Sequence, residues 1–197
     1  MFKSLTMLAG GAAGVSMAVA MGAPSPQVLL SQMTGKTIGT GAAASAASCA
    51  DHWGTGAKSL TRSEGPSTAR VAGVRVGQHG CFDRLVIDLG RGVKPGYQIR
   101  YVRAFDAQGS GNPIPLRGRA KLEITVDDHA AAGFPATGSE LADVSGLRAF
   151  RQLAGAGSFE GYTELGLGLR ARLPFRAYVL NGPGRDSRLV IDVADHR

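Results

Sequence analysis

Alternation of apolar and polar residues dominates the chain from about residue 69 onward. In Arg84–Leu89, written RLVIDL, Leu85, Ile87 and Leu89 share one side of an extended backbone. Arg84, Val86 and Asp88 share the other. Residues 188–193, RLVIDV, repeat the split, with Leu189, Ile191 and Val193 opposite Arg188, Val190 and Asp192. One buried face and one wet face suit a sandwich sheet. Comparable runs predict strands at Ala69–Val76, Phe82–Leu89, Tyr97–Phe105, Leu116–Val126, Leu147–Leu153, Thr163–Leu169, Phe175–Leu180 and Arg188–Val193. Turn residues separate them, as in Lys94-Pro95-Gly96 and Asn181-Gly182-Pro183-Gly184. Residues 127–146 show no period and read as a long loop with a helical turn near Ser139–Asp143. The fold class expected is all-β, a compact antiparallel sandwich of about eight strands.

The repeated strand carries its own pairing instruction. If the copies are neighbours with Val86 opposite Val190, antiparallel order sets Arg84 against Asp192 and Asp88 against Arg188. Parallel order opposes like charges. A second echo, PGYQIRYV (Pro95–Val102) and LPFRAYVL (Leu173–Leu180), occurs in mirrored order relative to the first. Head-to-tail duplication would keep the order, so similar burial demands explain the likeness better.

The N-terminus changes the picture of where this fold resides. Lys3 precedes residues 5–23, which carry no charge, and Ala18-Val19-Ala20 fits a small-residue cleavage site. Residues 1–23 are expected to be a signal peptide, with an uncleaved anchor as the alternative. Residues 24–48, rich in Gly, Ala and Ser, read as a flexible linker, and residues 49–197 as the folded domain. The expected location is extracytoplasmic, in the cell envelope. Of 22 lysines and arginines only Lys3 and Lys36 precede residue 50, and all 15 acids follow it. The domain is therefore moderately basic, which favours anionic partners. Cys49 and Cys81 are the two cysteines. An exported pair suggests one disulfide; Ala46-Ala47-Ser48-Cys49 offers acylation of Cys49 as a rival.

Candidate chemistry is sparse. Thr34-Gly35-Lys36-Thr37 and Gly54-Thr55-Gly56-Ala57-Lys58-Ser59 only imitate phosphate loops, each lacking a required glycine. His79 and Cys81 could form a base and thiol, but a cysteine with an oxidised partner serves structure. Asp127-Asp128-His129 could touch a metal, yet consecutive residues converge poorly and no fourth ligand follows; no metal and no cofactor are expected. Glu160 and Glu164 could form the carboxylate pair of a glycan hydrolase. Binding residues are better marked. Arg117, Arg119 and Lys121 fall on one side of the expected strand Leu116–Val126, a cationic stripe for carboxylate or phosphate groups; the plain alternative is a charged, solvated edge. In Ser158-Phe159-Glu160-Gly161-Tyr162, Tyr162 could stack on a sugar or pack in the core, whereas Phe159 is expected in the core.

From Cys49 onward the chain resembles the AMIN-like domain of exported actinobacterial proteins, related to the AMIN domain of cell-wall amidases. The resemblance rests on Cys49 with Trp53-Gly54, His79-Gly80-Cys81-Phe82-Asp83 leading into RLVIDL, and Pro95-Gly96-Tyr97 through Tyr101-Val102. Ser158-Phe159-Glu160-Gly161, Gly166-Leu167-Gly168-Leu169, Pro174-Phe175-Arg176 and RLVIDV complete it. It implies a β-sandwich without an active site, directed to the envelope, with peptidoglycan as proposed ligand, and it agrees with a disulfide. The function expected is a non-catalytic envelope module binding peptidoglycan or another anionic wall polymer through Arg117, Arg119, Lys121 and Tyr162. A protein–protein adaptor for envelope enzymes and a small glycan hydrolase are the alternatives. The partner is thus a wall glycan or an envelope protein. Nucleic acid is not expected, nor a membrane once the leader is cut.

Overall fold

The computed structural model describes residues 52–62, 69–90, 95–182 and 184–196. The expected signal peptide, the linker with its phosphate-loop imitation, and Cys49 lie outside the described residues. Ten strands form: β1 (Lys58–Leu60), β2 (Arg70–Gln78), β3 (Phe82–Leu89), β4 (Tyr97–Val102) and β5 (Ala120–Val126), followed by β6 (His129–Ala130), β7 (Phe150–Phe159), β8 (Tyr162–Leu169), β9 (Phe175–Asn181) and β10 (Ser187–Ala194). They make two five-stranded sheets, ordered β1-β4-β5-β8-β7 and β6-β2-β3-β10-β9. All pairings are antiparallel except that of β2 with β6. The all-β sandwich read from the pattern is the fold observed.

The alternating apolar residues meet between the sheets. Leu85, Ile87 and Leu89 of β3 and Leu189, Ile191 and Val193 of β10 share one core with Leu122 and Ile124 of β5 and Leu165, Leu167 and Leu169 of β8. The two copies of the repeated strand are direct neighbours. They run antiparallel with Val86 opposite Val190, Arg84 opposite Asp192 and Asp88 opposite Arg188.

Their outer face is less wet than the alternation implies. Asp192 is fully buried and Val190 nearly so. Arg84 grips the carboxylate of Asp192 through Nε at 2.6 Å and Nη2 at 3.0 Å. Arg176 of β9 reaches it from the other side at 2.9 Å, and the Tyr178 hydroxyl lies 3.3 Å away. An interior strand flanked on both sides can be roofed by long side chains, and here it is. Asp83, on the inward face, ties the sheets together. Its carboxylate accepts from the backbone N–H of Ala149 at 2.5 Å and of Phe150 at 3.3 Å.

Two expectations are corrected. The strand expected at Leu116–Val126 begins only at Ala120. Gly118 takes φ 112°, a left-handed conformation open to glycine, and a side chain there would strike the Leu169 backbone at 2.5 Å. Leu116 consequently joins Phe105, Ile114, Ala154 and Ala156 in a second, smaller core. That cluster covers the outer side of β7 and β8, where Gly166 leaves room for Phe105 and Gly168 for the Arg117 carbonyl. Within 127–146 no helical turn forms near Ser139–Asp143. The segment instead lines the edge of β7, with Leu141 N–H donating to Leu153 C=O at 2.9 Å and Gly138 N–H to Gly155 C=O at 2.8 Å. It also contributes the two-residue β6. Capping an edge in this way satisfies backbone groups that would otherwise invite another strand.

Truncating Asp192→Ala leaves Arg84 and Arg176 facing a buried gap. Denaturant unfolding is expected to show a loss of about 3 kcal/mol, the scale for removing one partner from a buried charge cluster. Gly166→Ala places a methyl group 2.4 Å from Phe105 and is expected to cost about 1–3 kcal/mol by overpacking.

Candidate functional site

The β7–β8 hairpin closes through two residues, Glu160 at φ 47° and Gly161 at φ 93°. Positive φ at both positions is the geometry of a tight turn whose twist matches its strands. The turn sets Phe159 directly opposite Tyr162. Both rings stand in solvent, at 50% and 44% exposure. Phe159 is therefore not a core residue, contrary to expectation. The reason is register: Thr163 and Leu165 are buried, so Tyr162 and its partner fall on the outer face.

Tyr162 lines a groove of about 360 Å³ with Leu60, Arg62, Tyr97, Gln98 and Thr125. That volume is within the range of small-ligand sites. Its floor is fixed by ion pairs. Arg62 donates to Asp127 at 3.1 Å and to the buried Asp128 at 2.9 Å. Asp127 and Asp128 are thus committed to an arginine, and among the described residues no group of three metal-ligating side chains is assembled. Tyr97 donates through its hydroxyl to the Ala177 carbonyl at 3.3 Å, across to the other sheet.

Beyond Tyr162, register places Thr125, Glu164, Glu123 and Arg100 on the same outer face. Arg100 pairs with Glu123 at 2.6 Å. The Glu164 carboxyl accepts a long hydrogen bond from the Thr125 hydroxyl, 3.4 Å. Burial, and then the charge of Glu123, push its pKa above the ordinary glutamate value. Glu160 stands apart at the hairpin tip, so the two glutamates singled out in the sequence occupy different environments.

The cationic stripe is not a single strand face. Arg117 lies before β5 and pairs with Glu140 at 2.5 Å. Arg119 is exposed in the same turn, and Lys121 is half-buried opposite Gly168. Gly168 is six residues along β8 from Tyr162, roughly 20 Å at strand rise. The structure therefore separates Tyr162 from the three cations. His79 does not face a free thiol. Its ring stacks on Phe82 at 4.7 Å, Cys81 is buried, and no free cysteine is found among the described residues.

Sequence reasoning missed a second aromatic surface. Trp53 lies over Arg176 at 4.5 Å and meets Phe82 edge-on at 5.6 Å. Tyr178 flanks the same guanidinium at 5.3 Å. These rings brace the arginines that hold Asp192. The available signal was chemical: the chain's single tryptophan sits in a segment with no strand pattern of its own.

Residues 69–195 match the AMIN-like domain family. No curated protein matches the chain.

The raised Glu164 pKa has a definite sign. Its folded state holds the proton more tightly than the unfolded chain, so its stabilising contribution is present below the unfolded value and is lost as pH rises through the raised folded one. Denaturation midpoints of the parent and Glu164→Gln, compared from about pH 3 to 8, should diverge in favour of the variant as pH rises from 4.5, the ordinary glutamate value. A pH-independent difference would contradict this assignment.

Proposed function

The chain belongs to the AMIN-like domain family, and from that premise, which makes it a cell-envelope module, we propose that it is exported, non-catalytic and binds peptidoglycan or another anionic wall polymer. The observation that carries the reading is the exposed Phe159–Tyr162 pair at the mouth of a polar groove. Aromatic faces beside hydrogen-bonding groups are the chemistry that sugars accept. A polymer, unlike a small molecule, can span the roughly 20 Å from Tyr162 to Lys121 and Arg119. The proposal assigns Tyr162 to stacking and Arg119 and Lys121 to anionic groups. Arg117 contributes there only if it leaves Glu140. Residues 1–23 direct export, 24–48 link, and Cys49 bonds to Cys81 to tie the start of the domain to β3.

A second reading, a small glycan hydrolase, is favoured by one observation. Burial and the neighbouring Glu123, which pairs with Arg100, raise the pKa of Glu164, as a general acid requires. An adaptor that presents a sheet edge to envelope proteins is the reading left if glycans fail.

Co-sedimentation of the chain with insoluble peptidoglycan across a salt series separates these. Binding that weakens with salt is expected, and Tyr162→Ala should lower affinity about 3- to 10-fold without moving the unfolding midpoint. No sedimentation at low salt would remove peptidoglycan as the direct ligand. Release of soluble glycan by the parent but not by Glu164→Gln would move the hydrolase to first place. Intact mass before and after reductant should differ by two hydrogens if Cys49 and Cys81 are bonded.

A further inference from the structure

Arg188 stands opposite Asp88 as Asp192 stands opposite Arg84. The two copies of the motif should thus make the same ion pair twice. They make it once. Arg75 of β2 takes both oxygens of Asp88, at 2.8 and 2.6 Å. The Nε of Arg188 is left buried without a hydrogen-bond partner. So is the hydroxyl of its neighbour Ser187, a residue 4% exposed. Both residues line one cavity of about 410 Å³, with Arg75, Asp88, Asp186 and Gly182.

Buried donors in native proteins nearly always find an acceptor. A guanidinium has no acceptor capacity of its own, so the matching group must accept. Beside a cation, the strongest acceptor is an anion, and a planar carboxylate fits the guanidinium fork. The cavity's other charges narrow the choice. Arg75 and Asp88 neutralise each other. Asp186 is exposed at the rim. A doubly charged phosphate would meet two carboxylates, whereas a single carboxylate suffers less repulsion and leaves Asp186 for an ammonium group. We propose that this cavity is a binding site for a free amino acid, its carboxylate held by Arg188 and Ser187 and its ammonium received by Asp186. The site lies on the sheet remote from Tyr162 and does not depend on the glycan reading.

The test is an NMR titration of the full chain with N-acetylalanine, N-acetylalaninamide, alanine and inorganic phosphate, following Arg188 and Ser187 signals. N-acetylalanine should bind and its amide should not. Alanine should bind more tightly than N-acetylalanine, because its ammonium reaches Asp186; equal or weaker binding of alanine would overturn that assignment. Arg188→Ala should weaken N-acetylalanine binding about tenfold or more, the scale of a charged hydrogen bond. Ser187→Ala should weaken it less, and it serves alone if Arg188→Ala fails to fold. Equal binding of acid and amide, phosphate binding tighter than N-acetylalanine, or unchanged affinity in both variants would overturn the proposal.

Discussion

A carboxylate with no access to water organises this sandwich. Asp192 sits in an interior strand of the second sheet with no exposed surface, a position that is unfavourable for a charge unless partners surround it. Arg84 and Arg176 come from the strands on either side, so the ion cluster locks β3, β10 and β9 in one register. Their guanidiniums need support in turn, and Trp53, Phe82 and Tyr178 supply aromatic faces for it. Much of the outer face of the second sheet is therefore committed to holding the fold. The first sheet carries a different burden. Its β7–β8 side is roofed by Phe105, Ile114 and Leu116, while the β4–β5 side stays open and polar around Tyr162 and Glu164.

The same cluster explains why the repeated strand does not give a symmetric structure. One end of the β3–β10 pair satisfies Asp192 with two arginines. At the other end a single arginine of β2 occupies Asp88, and Arg188 is left over. Near-identical strands thus acquire different roles from their neighbours: β9 supplies Arg176, and β2 supplies Arg75. The two ends of the pair differ in what each leaves unsatisfied, not in their motif.

The antiparallel direction of β3 and β10 was legible on the condition that they are neighbours with Val86 opposite Val190, because charge then pointed to one arrangement; the adjacency itself was not legible. Opposite charges at Arg84 and Asp192 required antiparallel order, and period two fixed the inward residues. The alternation Gly166-Leu167-Gly168-Leu169 also carried a message, since glycine on one face of a strand marks a close approach, but it does not say what approaches. That Leu116 belongs to the covering segment, not to β5, depends on the φ of Gly118. That Phe159 is exposed depends on a tight turn at Glu160 and Gly161. Local patterns do not encode such tertiary choices. Tyr162 was singled out in the sequence, and it is exposed beside a groove; the groove itself was not legible, because Leu60, Arg62 and Tyr97 come from separate segments. The cationic residues were legible as charges but not as a surface.

The most direct test of this division of labour is a chemical-shift map of the chain with soluble peptidoglycan fragments. The account predicts perturbations concentrated on Phe159, Tyr162, Gln98 and Thr125, with the Trp53–Arg176 cluster silent. Perturbations centred on Trp53 and Arg176, or none at all, would contradict it.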